Sequence, residues 1–230
     1  MAIFSTYNST RPAVVLLSHH GERLSAVRGH ALGRRLQLEQ VRLRCADFRI
    51  LWPQHLSTGL ATLAEGGNTS VLGGELDASP GTNRHQTFGG MLAPATVSAV
   101  YTFETDDYPY LSMAAMLLPT NDGFVGLDSW VIPTTPGTYT INLNAYDAGS
   151  EANDEIINGG GALGMPGIPV DPGGNNGTGA TGVTATEANT TVHIHRGNIG
   201  DDNPTGGVSD ANNTVHRWLN PVARLIVTIN

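Results

Sequence analysis

Thr138-Tyr139-Thr140-Ile141-Asn142-Leu143-Asn144-Ala145-Tyr146 alternates strictly between polar and apolar side chains. Side chains in an extended strand point to opposite faces with a period of two, so nine alternating residues mean a half-buried β-strand. Pro133, Pro136 and Gly137 punctuate the turn before it. Outward from this stretch the chain from about residue 91 keeps the same character. Strands are expected at 96–105, 111–118, 124–132, 190–196 and 223–229, and a short one at 12–17. Several short strands separated by turn residues predict an all-β fold, an antiparallel β-sandwich or barrel. Ser57 to Ala64 reads instead as one short helix, capped by Ser57 or Thr58 and stopped by Gly66-Gly67. Residues 21–49 keep no clean period: Leu24, Val27 and Leu32 fit a helix, Leu36, Leu38, Val41 and Leu43 fit a strand with one slip, and both readings stay open.

The composition excludes several classes. The chain has 230 residues with 40% hydrophobic and 14% charged side chains. No apolar run approaches the ~20 residues of a transmembrane helix. The net charge of −8 argues against a nucleic-acid partner. Lysine is absent, and all 12 cations are arginine. Eight of the 12 lie in residues 1–50 against Glu22, Glu39 and Asp47, so that segment stands at +5 and the remainder at −13. An acidic remainder suits a hard cation. The single cysteine, Cys45, forms no intrachain disulfide. Met1 to Ser5 lacks the basic and apolar regions of a signal peptide.

Residues 159–182 hold ten glycines with Pro166, Pro169 and Pro172. Such a stretch supports no strand or helix and is expected to be a long, flexible loop, functional or disordered.

Two stretches concentrate acids beside turns. Residues 119–129 (Pro-Thr-Asn-Asp-Gly-Phe-Val-Gly-Leu-Asp-Ser) place Asp122 between two strands. Residues 146–155 (Tyr-Asp-Ala-Gly-Ser-Glu-Ala-Asn-Asp-Glu) place Asp147 at a strand end and Glu151 four residues later. Where the two loops meet, three carboxylates converge. Converging like charges are costly without a cation. Ca²⁺ accepts six to eight oxygens in flexible geometry, which carboxylates and loop carbonyls supply. The competing reading is that these acids cap turns, as Asp and Asn commonly do.

Both stretches resemble the signature of the spondin domain, in its bacterial form more than its animal form. Ser57–Ser70 is similar to that family's early helix, 96–116 to its strands before the signature, and 216–224 (His-Arg-Trp-Leu-Asn-Pro-Val-Ala-Arg) to its closing strand. The likeness spans residues 56–230 as one domain. It implies an eight-stranded antiparallel β-sandwich of C2-like topology, a Ca²⁺ site at one end, and a secreted or cell-surface module for adhesion or matrix contact. The implied partner is an extracellular protein or glycan. The family's ligands carry over to Asp122, Asp147 and Glu151; the animal pattern tends to have aspartate where Glu151 stands. Residues 1–55 depart from the family. His19-His20, the arginine-rich stretch to Arg49 and Trp52-Pro53 stand where the family would show an apolar strand and a His-Asp loop. An altered reading frame explains such a segment, and a true insertion is the alternative. Residues 20–50 are accordingly expected to pack worse than the rest.

His193 and His195 share one face of an expected strand and form a candidate zinc or copper pair if His216 approaches. Trp218 is expected to pack in the core. Asp106-Asp107 reads as a turn. No nucleophile or positioned base accompanies the acids, so no catalytic residue is expected. The alternative functions are a structural subunit of an extracellular assembly and, behind it, a hydrolase using the acids.

Overall fold

The computed structural model describes residues 13–18, 35–39, 56–78, 82–88, 92–104, 110–170, 177–183 and 190–230. Among them are nine strands and two helices in the order β1 (Ala13–Ser18), β2 (Arg35–Glu39), α1 (Thr58–Gly66), α2 (Ser70–Asp77), β3 (Thr82–Phe88), β4 (Val100–Glu104), β5 (Tyr110–Met116), β6 (Gly123–Val131), β7 (Gly137–Asp147), β8 (His193–Ile194) and β9 (Ala223–Ile229). The fold is all-β and antiparallel. One hydrogen-bonded path runs β3-β1-β5-β6-β7-β9-β2-β4, with β8 added beside β7.

Strand β7 belongs to both halves of that path. Its first seven residues, Gly137 to Leu143, pair with β9, and its last four, Asn144 to Asp147, pair with β6. The largest core joins Leu111, Met113 and Ala115 of β5 and Val125 of β6 to Leu143 and Ala145 of β7 and Leu225, Val227 and Ile229 of β9. Strand β9 alternates buried and half-buried residues along its whole length, so its second face is less covered. Strand β5 is buried at Leu111 through Ala115 without alternation. Its odd-numbered side chains enter the main core, while Ala114 enters a second core under the helices with Leu60, Leu63, Leu72, Leu76 and Phe124. A strand covered on both faces reads as a near-continuous apolar run, and Leu111–Leu118 is apolar except at the buried Ser112.

Helix α1 begins and ends where its capping residues place it. Ser57 Oγ accepts the Leu60 N–H at 3.0 Å. Gly67, at φ 66°, returns its N–H to Leu63 O at 2.8 Å in the left-handed turn that glycine tolerates. The single expected helix is corrected to two, since α2 follows directly. Glu75 of α2 accepts the Gly59 N–H of α1 at 2.8 Å, satisfying one of the unpaired donors of that helix start.

Among its described residues, 159–170 and 177–182, the glycine-rich segment forms no strand or helix, and the expectation of a loosely held loop is corrected for them. Ile168 is fully buried and forms a third core with Ile157 and Leu118. A Cβ on Gly66 would fall 1.7 Å from the Gly161 carbonyl oxygen, so this loop lies directly on the end of α1. Further along, Gly182 N–H donates to Val208 O at 2.9 Å. Of the arginine-rich segment only Arg35–Glu39 is described. It stands between β9 and β4 in the sheet, and the packing expected of 20–50 otherwise lies outside the described residues. So do Cys45, His19-His20, Trp52-Pro53 and Asp106-Asp107.

Candidate metal centre

Asp122 immediately precedes β6, and Asp147 ends β7 opposite Gly123 in the β6–β7 register. The β5–β6 turn is held by Thr120, whose Oγ1 donates to Leu117 O and accepts the Gly123 N–H at 3.0 Å. After Asp147 the chain turns at Gly149, φ 76°, where a Cβ would lie 2.6 Å from the Thr191 nitrogen. Only glycine fits there. That turn brings Ser150 and Glu151 back over Asp122.

Asp122 is completely buried. Its Oδ2 accepts the Ser150 N–H at 2.8 Å, the Ser150 hydroxyl at 3.2 Å and the Glu151 N–H at 3.0 Å. Its Oδ1 is buried without a hydrogen-bond partner. Glu151 is 5% exposed; its Oε2 accepts the Gly167 N–H at 2.9 Å, and its Oε1 is likewise buried and unpartnered. Asp147 differs: Oδ1 accepts Gly149 N–H at 2.8 Å, and Oδ2 accepts the Asn153 side-chain amide. The second sequence stretch thus folds back on the first.

The electrostatics follow from this geometry. Burial, then repulsion from Asp147, pushes the Asp122 carboxyl up to about 6 from 3.8, against the pull of its hydrogen bonds to residues 150 and 151. Burial pushes Glu151 up to about 8 from 4.5, opposed by the Gly167 N–H and the Asn121 side chain and reinforced by repulsion from Glu65 and Asp122. Both shifts have the same physical content: burial withdraws two carboxylates from water, and no cation among the described residues offsets it.

Among the described residues no group of three or more His, Cys, Asp or Glu side chains is placed to hold a metal ion. The donor set nevertheless fits a hard cation. Two buried carboxylate oxygens stand unpartnered, and a buried oxygen without a partner costs about 1–3 kcal/mol. A divalent ion at these oxygens would remove that cost and the mutual repulsion together. All donors are oxygens, as calcium prefers.

Of the remaining acids of the second stretch, Asp154 caps its own turn by accepting the Ile156 N–H at 3.0 Å, while Glu155 bonds to distant loops. Glu155, at φ 58° and 3% exposed, accepts N–H groups from Ile199 at 2.6 Å and Gly200 at 2.9 Å and the Ser209 hydroxyl. Asp154 accepts the Asn121 amide at 2.7 Å. Asp210, outside both stretches, accepts Thr178 N–H at 2.6 Å and Ile157 N–H at 2.7 Å. These carboxylates stitch together irregular loops, and each such bond spans dozens of residues, a separation that leaves no local sequence signal.

Only His193 of the two histidines lies in β8, and both interact with Asp147. His193 Nδ1 lies 2.8 Å from Thr191 O, and its Nε2 lies 3.6 Å from Asp147 Oδ2. His195 is buried, its Nδ1 accepts the Gly197 N–H at 3.0 Å, and burial lowers it to about 4 from 6.5. With Nδ1 accepting, neutral His195 carries its proton on Nε2 and has no lone pair there for a metal. His216 Nδ1 accepts the Asn212 N–H at 3.0 Å. Trp218 packs against the main core and lies 4.9 Å, ring centre to ring centre, from His195. No helix among the described residues is long and apolar enough to cross a membrane.

Compared with known proteins, the chain matches no family model and no curated protein.

Proposed function

We propose that the chain is a calcium-binding β-sandwich module of the spondin type, non-catalytic, acting at the cell surface or outside the cell in adhesion or matrix contact. The observation that carries this reading is the pair of unpartnered buried oxygens, Asp122 Oδ1 and Glu151 Oε1, on adjoining loops beside Asp147. Calcium here fastens the end of the β6–β7 pair to the loop from Gly149 to Gly167. Its role is structural first. The surface it rigidifies is the one offered to an extracellular protein or glycan.

Thermal unfolding in calcium and in chelator tests the reading. A ligand that binds only the folded state stabilises it by RT ln(1 + [L]/Kd), about 2.7 kcal/mol at 100 times Kd. Calcium is expected to raise the unfolding temperature and EDTA to reverse it. Magnesium, which keeps its water and demands octahedral geometry, is expected to act more weakly. Identical unfolding temperatures in millimolar calcium and in EDTA would remove the basis for the proposal.

A further inference from the structure

Glu65 is a buried acid outside the three-carboxylate site. It stands in the last turn of α1 and is 1% exposed. Burial strips its hydration. The helix C-terminus is the negative end of the backbone dipole, which disfavours an anion, and no basic residue occupies that turn. Glu151 is near enough for the two carboxylates to repel. Against these three costs, Glu65 Oε2 accepts the Gly164 N–H at 2.8 Å. Glu151 Oε2 accepts the Gly167 N–H three residues further along the same loop. One loop therefore lies against two mutually repelling buried carboxylates, one of which also carries the unpartnered Oε1.

We propose that Glu65 is the fourth acid of the cation site, acting by its charge on a cation held at Asp122, Asp147 and Glu151. The proposal rests on the calcium reading and adds a residue from α1 to it. Glu65 is a positioning residue: it raises the negative potential at Glu151 and fixes Gly164 beside it. Affinity for calcium rises with the number of ligand-side charges, so the charge of Glu65 is what the site uses.

Two variants separate charge from hydrogen bonding. Glu65→Gln keeps the volume and a carbonyl oxygen for Gly164 N–H, and its new amide hydrogens can donate to Glu151. Glu65→Asp keeps the charge and shortens the reach to Gly164. Titration calorimetry of the full chain with calcium alone reads the affinity, and unfolding in EDTA reads the metal-free stability. Glu65→Gln is expected to weaken calcium binding about tenfold or more with no loss of metal-free unfolding temperature, while Glu65→Asp stays near the parent affinity. Parental calcium affinity in Glu65→Gln, with a lowered metal-free unfolding temperature, would show a loop anchor only and overturn the proposal. Equal loss of affinity in both variants would also overturn it, assigning the effect to loop geometry. A parent chain that binds no calcium overturns the calcium reading and this inference together.

Discussion

Asp122→Asn separates the cost of the buried charge from the benefit of the bonds around it. The carboxyl is pushed up to about 6 from 3.8, so at pH 7.5 the folded metal-free chain holds an anion that its surroundings disfavour. A shift of this size corresponds to roughly 3 kcal/mol at about 1.4 kcal/mol per pKa unit. Asparagine keeps an oxygen for the N–H groups of Ser150 and Glu151, at 2.8 and 3.0 Å. Those bonds lose their charge assistance, which returns on the order of 1 kcal/mol. The new amide group takes the place of the unpartnered Oδ1, and the repulsion from Asp147 is removed. The net expectation in EDTA is a gain of about 1–2 kcal/mol, or a few degrees for a chain of this size. In saturating calcium the order reverses, because the parent gains the binding energy and the variant, lacking an anionic ligand, does not. Differential scanning calorimetry of both chains, in EDTA and in calcium, gives four midpoints and a predicted crossover. A variant that unfolds lower than the parent by the same margin in both buffers would refute the reasoning and reduce Asp122 to a turn cap.

Asp147→Ala behaves differently. Both Asp147 oxygens are in fact bonded, to Gly149 and Asn153, so Asp147→Ala is expected to lose the calcium shift and also about 1–3 kcal/mol in EDTA, read by chemical denaturation. The metal-free chain should lose stability as the pH rises from 6.5 to 8. Glu151, pushed up to about 8, keeps its proton when folded and releases it when unfolded; the loss is at most about 2 kcal/mol, and nearer 1 once solvent screening is allowed for. Below pH 6.5 His195, lowered to about 4, works in the opposite direction, since only the unfolded chain protonates it. Saturating calcium should flatten the 6.5–8 slope, and an unchanged slope would exclude Glu151 from the site. Replacing residues 159–182 by a short turn is expected to cost several kcal/mol, since Ile168 is fully buried and Gly167 is bonded to Glu151, and burial of one isoleucine alone contributes about 2–5 kcal/mol against alanine.

What the sequence made legible was local. The alternation of 138–146 lies in β7, and the Ser57 and Gly67 caps bound α1 as read. Helix α2 carries Gly73-Gly74 and no side-chain cap bond from Thr69; it forms because Leu72 and Leu76 pack under it, a tertiary cause without a local signature. Strand β3, Thr-Asn-Arg-His-Gln-Thr-Phe, shows no apolar alternation and takes its form from antiparallel pairing with β1. The strand expected at 190–196 contracts to His193–Ile194 because a side chain replaces part of its ladder: Asn220 accepts Ala145 N–H at 2.7 Å and donates to His195 O at 3.3 Å. In the site, the turn positions of Asp122 and Asp147 were readable from spacing. The bonds from Gly167 to Glu151 and from Gly164 to Glu65 were not, since the second spans 99 residues and glycine backbone donors leave no mark in a sequence.

A crystal structure grown with calcium tests the central claim most directly. The account predicts one strong anomalous peak bounded by Asp122 Oδ1, Glu151 Oε1 and Asp147, each oxygen about 2.3–2.6 Å away, with backbone carbonyls or water completing six to eight ligands. Saturating calcium with no peak there, and with Asp122 Oδ1 and Glu151 Oε1 bonded to water or to each other through a shared proton, would contradict it.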